Sequence, residues 1–267
     1  MGLPEPSVSN TALVTGASSG IGAAIAAELA SRGYSLALVA RREERLRSLA
    51  TDLTSEHGAD VQVVVADLGD PAERDRLQDE LRGGGRSVEL LVNNAGFGHQ
   101  ADFATSERER MVEMVRVNVE AVVDLTSRFL GPMVEKGRGS VINIASTAAF
   151  QPLPGSAVYA ASKSFVLSFS EAIRTELRGS GVTVTAVCPG PVKTEFTEVA
   201  GVGGVEERTP GAVWMTAEEI ARHAVEGAKR DRRVVVPGTL NRVTALAGHY
   251  SPRAVALPLI SRVWRNL

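Results

Sequence analysis

The sequence contains a single cysteine, Cys188. Without a second thiol the chain forms no internal disulfide and no thiolate metal cluster, and a reducing compartment suits it. Its four histidines, His57, His99, His223 and His249, lack the spacing of a metal site. No apolar stretch approaches the roughly 18–20 residues that a membrane-spanning helix needs. The opening "MGLPEPSVSN" has no cationic segment leading into an apolar one, so no ordinary secretory leader is expected. Neither sign of charge dominates: 29 basic and 31 acidic residues give a formal net charge of −2, which draws the whole molecule toward neither nucleic acid nor an acidic surface. The expectation is a cytoplasmic protein whose ligands are small molecules.

Hydrophobic residues make up 44% of the 267 positions, enough for the core of one large α/β domain. Short β-branched runs alternate with helical patterns: "TALVTG" then "IGAAIAAELASRG", "SLALVA" then "REERLRSLATDLTSEHG", "VQVVVAD" then "PAERDRLQDELRGG", "VELLVNN" then a long helical segment ending "GPMVEKG". "SVINIAS", a helix through "YAASK", "VTVTAVCPG", a helix near "TAEEIARHAVEGAKR" and "RRVVVP" complete the series. Strands apolar on both faces and joined by helices form a parallel sheet covered on both sides, so the fold class is a doubly wound α/β domain. Residues 193–212, rich in Gly and Thr, read as a loop or short helices, and residues 237–267 fall outside the regular pattern.

"TGASSGIG", Thr15 to Gly22, joins the first strand to the first helix. Gly16, Gly20 and Gly22 permit a tight turn and close backbone approach, and the helix start offers N–H groups to a pyrophosphate. A turn that needs positive φ accounts for glycine as well. After the second strand come Arg41 and Arg42, where an acid would read a free ribose 2′-hydroxyl; arginines there favour a 2′-phosphate, hence NADP(H), unless they only open a solvated helix. Asp67 ends the third strand, either accepting from an adenine amino group or capping the helix near Pro71. The fourth strand ends in "NNAG", Asn93 to Gly96, whose asparagines can tie neighbouring strand ends together.

Tyr159 and Lys163 in "YAASK" stand four apart on one helix face, either as a surface pair or as a phenol with a cation that lowers its pKa. Ser146 lies just past the fifth strand, so that it and the helix face converge at the carboxyl edge of the sheet. These motifs, with Asn118 in "VRVNVEA" and "PGPVKT" from Pro189, resemble in order and spacing the classical short-chain dehydrogenases/reductases over residues 10 to 235.

The resemblance implies a Rossmann-type fold with a seven-stranded parallel sheet and an Asn118, Ser146, Tyr159, Lys163 tetrad. Tyr159 would exchange the proton, Ser146 would hold the substrate oxygen, Lys163 would bind the nicotinamide ribose and lower the phenol pKa, and Asn118 would hold a water in a proton relay. The cofactor set it implies is Gly16, Ser18, Ser19, Gly20, Ile21, Gly22, Arg41, Arg42, Asp67, Leu68, Asn94, Ala95, Gly96, Tyr159, Lys163, Pro189, Gly190, Val192 and Thr194. Substrate contact falls to Ser146 and Tyr159, and His99 is a further candidate. Cys188 reads as a small buried residue.

The activity implied is interconversion of a carbonyl and an alcohol with NADP(H). A dinucleotide-binding regulator is the alternative, yet it would have no need of Ser146, Tyr159 and Lys163 together. The glycine-rich last strand of the oxoacyl-carrier-protein reductases is missing, and "ARREERL" and "VVVPG" look more like the NADP-preferring carbonyl, hydroxy-acid and steroid-type reductases. The 237–267 tail packs on the domain or a partner subunit, covers the pocket, or touches a membrane interface. Apolar faces on the helices around Asn118 and after Tyr159 suit a homodimer or homotetramer.

Overall fold

Strands β1 (Asn10–Thr15), β2 (Ser35–Ala40), β3 (Val61–Val65), β4 (Ser87–Asn93), β5 (Gly139–Ile144), β6 (Val182–Val187) and β7 (Val234–Val235) form one parallel sheet in the order 3-2-1-4-5-6-7. The computed structural model describes residues 2–7, 10–195, 211–254 and 257–258. Each strand feeds a helix: α1 (Gly20–Ala30), α2 (Glu43–His57), α3 (Pro71–Gly83), α4 (Arg108–Val115) and α5 (Ala121–Glu135), α6 (Ala157–Glu176), α7 (Ala217–Lys229) and α8 (Thr239–Tyr250).

The alternation of side chains along a strand explains the two layers. In β1, Ala12 and Val14 point to a core with Ile25 and Leu29 of α1, Leu46 and Leu53 of α2, and Ala224 and Val225 of α7. Leu13 points the other way, toward Leu77 and Leu81 of α3 and Leu125, Phe129 and Met133 of α5. A third cluster seats Val166 and Leu167 of α6 against Ala186 and Cys188. The fold is therefore a single Rossmann-type α/β domain, as the βα alternation implies.

The chain order reverses between β1 and β4, which opens a crevice at their carboxyl ends. Two local features shape it. The long helical segment after β4 is interrupted by a π-helical turn, Arg116–Glu120, between α4 and α5; such one-turn widenings recur at functional sites. Arg74 of α3, 2% exposed, donates to the Leu68 carbonyl at 2.7 Å and pairs with Glu120 and Asp124. It thereby fastens the loop after β3 to the π turn. Burial alone would raise the Asp124 carboxyl, but hydrogen bonds from Arg128 and Arg74 outweigh it and hold the group below the usual range.

Of the two segments read as irregular, 196–210 lie outside the described residues. The tail begins as an ordered helix: Asn241 of α8 is buried and donates to the Val213 carbonyl at 3.0 Å. Residues 255–256 and 259–267 are outside the described residues. No helix among those described is long and apolar enough to cross a membrane.

Candidate active site

Thr15 ends β1 with its hydroxyl donating to the Val92 carbonyl at 3.1 Å and accepting from the Asn94 and Ala95 N–H groups at 2.9 and 3.0 Å. Asn94 returns the tie through Nδ2, which donates to the Thr15 carbonyl at 2.8 Å. The strand ends flanking the crevice are thus locked together, as expected from "NNAG". Asn93 turns away and donates to Asn143 at 2.9 Å and Thr126 at 3.1 Å.

The chain then turns at Gly16, with φ of +65°, and enters α1. A Cβ on Gly16 would stand 2.8 Å from Asn94 Nδ2, and one on Gly22 would stand 2.4 Å from the Gly16 carbonyl oxygen. Both positions exclude a side chain, so the first turn of α1 lies hard against the loop. Ser19, at the N-cap, makes no side-chain cap bond, and the helix N-terminus is open to an anion.

Arg42 supplies a second anion site. Its guanidinium donates to Ser18 Oγ at 2.9 and 3.0 Å, to Ser19 Oγ at 2.6 Å and to Glu195 at 2.9 Å. Arg45 holds the other Glu195 oxygen at 2.6 Å. Hydrogen bonds from Arg45 and then Arg42 depress the Glu195 carboxyl below its ordinary value. Arg41 lies 3.5 Å from Glu113 and 3.8 Å from Asp67. Arg42 therefore does more than open a solvated helix: with Arg45 it converges on one carboxylate beside the glycine loop, while Arg41 faces Glu113 and Asp67. Asp67 does not cap α3: Asp70 accepts from the Ala72 N–H, while Asp67 Oδ1 accepts from Gly69 N–H at 2.9 Å.

Ser146 follows β5 and accepts from the Ala148 N–H at 3.1 Å, which fixes its hydroxyl over the strand end. It shares a hydrogen bond with the Tyr159 phenol from α6. One turn on, the Lys163 ammonium sits 5.8 Å from the centre of the Tyr159 ring and donates to the Ile144 carbonyl at 2.8 Å. The surface-pair reading of "YAASK" is overturned, because Lys163 is 5% exposed.

The expected lowering of the phenol pKa is not what this geometry gives. Burial pushes Tyr159 above its ordinary value, and the Ser146 hydrogen bond offsets only part of that rise. Lys163 is itself brought down to about 8 by burial. Cys188 is fully buried, as expected, and burial raises its thiol to about 12.

Asn118 sits in the π turn with its side chain engaged. Oδ1 accepts from Phe97 N–H at 3.1 Å, and Nδ2 donates to the Phe97 carbonyl at 3.0 Å and to Ser162 Oγ at 3.2 Å. Ser162 in turn donates to the Tyr159 carbonyl at 2.7 Å. Asn118 therefore clamps the loop after β4 to α6.

These parts enclose one cleft of about 670 Å³. Of the residues singled out in the sequence, Gly22 and Asn118 do not line it, and neither does His99; the other tetrad and cofactor candidates do. Sequence reasoning missed Glu113, Glu195, Phe150, Gln151, Trp214 and Thr244, which also line it. Glu195 stood next to Thr194 and Phe150 four residues after Ser146, so proximity was the available signal. Thr244 and Ala245 arrive only because α8 folds back, which no local pattern announces. Among the described residues no cluster of His, Cys, Asp or Glu is arranged to hold a metal ion. The residues present do fit a dinucleotide: an open helix N-terminus, a glycine turn that excludes Cβ atoms and an arginine pair already holding an anion.

Comparison with known proteins agrees with this geometry. Residues 10–201 match the family model described as short chain dehydrogenase. Sulfoacetaldehyde reductase 2 of Chromohalobacter salexigens is 41% identical over 194 residues, 72% of this chain and 76% of that protein. Serine 3-dehydrogenase of Rhizobium radiobacter is 36% identical over 220 residues, 80% and 86% of the two chains. A short-chain dehydrogenase from Sphingobium yanoikuyae, solved in complex with NADPH, superposes with a TM-score of 0.81 at 36% identity over 90% of this chain and 92% of that one. With the glycine turn, the Ser146, Tyr159 and Lys163 cluster and the strand order all in place, the chain belongs to the short-chain dehydrogenase family, oxidoreductases acting on CH–OH groups.

Proposed function

We propose that the protein interconverts a ketone or aldehyde with the corresponding alcohol, using NADP(H). The observation that carries this reading is the hydrogen-bonded pair of Ser146 and Tyr159, with Lys163 behind it, in the same cleft as the glycine turn and Arg42. NADPH or NADP in solved relatives, such as the Sphingobium yanoikuyae enzyme, supports the cofactor.

The turn at Gly16, Ser18, Ser19 and Ile21 would hold the pyrophosphate, Arg42 with Arg41 the 2′-phosphate, Asp67 and Leu68 the adenine side, and Lys163 the nicotinamide ribose. Asn94, Ala95, Gly96, Pro189, Gly190, Val192 and Thr194 would line the remainder. The bound nicotinamide supplies or accepts the hydride. Everything else falls to the chain. A carbonyl oxygen seated against Ser146 and Tyr159 meets two hydroxyl donors where negative charge grows during reduction. The phenol gives its proton to that oxygen, and the Lys163 ammonium stabilises the phenolate left behind; in the reverse direction the phenolate takes the alcohol proton. Asn118 acts by holding the Phe97 loop and α6 at a fixed separation, and any water relay would start from this clamp.

Phe97, Phe150, Leu153 and Trp214 line the cleft beyond this pair, which favours a substrate with an apolar substituent. In this reading residues 1–236 are the cofactor-binding domain with 193–212 as its substrate loop, and 237–267 is an extension whose first helix walls the pocket. The protein works in the cytoplasm as a homodimer or homotetramer; exposed Val112, Val115 and Val123 on the α4–α5 segment and Phe165 on α6 support pairing. The test is a panel of carbonyls and alcohols followed by the nicotinamide absorbance. Steady turnover is expected, whereas tight NADPH binding with no turnover across the panel would leave a binding protein.

Glu195 gives a separate prediction. Its carboxylate occupies the Arg42 face that a 2′-phosphate would take, so the two anions compete. Glu195→Gln is expected to tighten NADPH binding about two- to fivefold, the scale of an exposed ion pair, and to leave NADH unchanged. Calorimetric titration reads both, and weaker NADPH binding would show that Glu195 positions Arg42 instead.

A further inference from the structure

Helix α8 docks on the domain through one face and carries large apolar side chains on the opposite one. At about 100° per residue, Asn241, Ala245 and Gly248 form one stripe. Asn241 and Ala245 are buried, and a Cβ on Gly248 would stand 2.7 Å from Gln151 Oε1, so this stripe docks on the domain. The opposite stripe is Leu240, Val243, Leu246 and Tyr250, with Val243 58% and Tyr250 77% exposed; Leu257 beyond the helix is exposed too. An ordinary surface helix turns charge to solvent on that side, as α2 does with Glu43, Glu44 and Arg47. Arg242 and His249 fall at the border between the stripes.

The charge of the segment is equally one-sided. No aspartate or glutamate follows Asp231, and after β7 the chain carries Arg242, Arg253, Arg262 and Arg265. Residues 1–238 hold all 31 acidic side chains against 25 basic ones. Among the described residues neither Arg242 nor Arg253 has an ion-pair partner.

We infer that α8, with exposed Arg242 on its flank and exposed Arg253 just after it, forms a docking surface for an anionic lipid bilayer. The leucine, valine and tyrosine side chains enter the headgroup and acyl boundary while the arginines reach the lipid phosphates. A second copy is a poorer occupant, since two-fold pairing of this face would gather the arginines of both copies while α8 and the residues after it supply no acid. An acidic protein would satisfy the arginines but not a convex apolar stripe.

The surface binding does not depend on the reaction proposed above. One consequence does: the buried stripe of α8 brings Ala245, with Thr244 beside it, into the cleft wall, so the seated protein holds its cleft beside the bilayer and receives carbonyl substrates that partition into lipid.

The test is co-sedimentation of the full chain with phosphatidylcholine vesicles, with and without phosphatidylglycerol, a readout independent of turnover. Binding is expected only to the anionic vesicles, and added salt is expected to weaken it. Val243→Asp with Leu246→Glu, and separately Arg242→Glu with Arg253→Glu, should each lower partitioning about 10-fold while circular dichroism and thermal melting stay as in the parent. Absent binding, equal binding to neutral vesicles, or variants that bind like the parent would overturn the inference. So would gel filtration in which the Val243→Asp, Leu246→Glu chain dissociates a parent oligomer that vesicles do not bind, since the face would then belong to a second copy.

Discussion

Tyr159→Phe is expected to lower turnover about 10²–10⁴-fold, the scale of a lost general acid, while NADPH binding changes by no more than about threefold. The substitution removes one oxygen and keeps the ring against its neighbours, so the fold should persist. Direction and pH sharpen the expectation. Burial holds the phenol above its ordinary value, so it stays protonated through neutral pH, and that is the form that gives a proton to a carbonyl oxygen. Carbonyl reduction should therefore proceed at neutral pH without a supporting base. Alcohol oxidation needs the phenolate and should climb as pH rises. Lys163 counters this at the alkaline end: burial brings its ammonium to about 8, so above that value the cation that stabilises the phenolate is lost. Reduction and oxidation rates measured against pH, for the parent and for Tyr159→Phe, check each part. Retained turnover in the variant, or loss of NADPH binding with it, would assign the ring a structural role.

Much of this site is legible in the sequence because local signals that each allow two readings all fall at strand ends on one edge of the sheet. The "TGASSGIG" loop between a β-branched run and a helix can only put glycines at the strand end, and the structure finds Gly16 and Gly22 where no Cβ fits. The interval from Ser146 to Tyr159 spans one strand end and one helix start, so it brings the two hydroxyls together. What was illegible depends on contacts between distant segments. Asn118 lies in an apolar helical pattern, and nothing in that pattern marks the π turn that Phe97 and Ser162 hold in place. Asp67 reads as a candidate cap for the helix near Pro71, but Asp70, directly before that proline, accepts from the Ala72 N–H and takes the role. Likewise α8 sets Asn241 and two small residues opposite a stripe of large apolar ones, and sequence alone does not say that the domain covers the former.

Arg41→Ala combined with Arg42→Ala is expected to weaken NADPH binding about 10²-fold and NADH binding by about threefold or less. The phosphate that distinguishes the two cofactors needs charge-assisted donors, and guanidinium groups supply them in pairs. The two arginines are not equivalent. Arg41 is 64% exposed on its side chain and faces Glu113 and Asp67 across 3.5 and 3.8 Å, which divides its charge. Arg42 already holds a carboxylate and two serine hydroxyls with short bonds, so its donors are aimed and its rotamer is set. Most of the loss should therefore come from Arg42→Ala alone, with Arg41→Ala contributing a smaller share. Arg42 also stands at the N-cap of α2, where its side chain makes no cap bond, so its removal should leave the helix intact. Titration of both cofactors against the two single variants and the double one separates the contributions. Equal weakening of NADPH and NADH would mean that the arginines shape the loop without reading the phosphate.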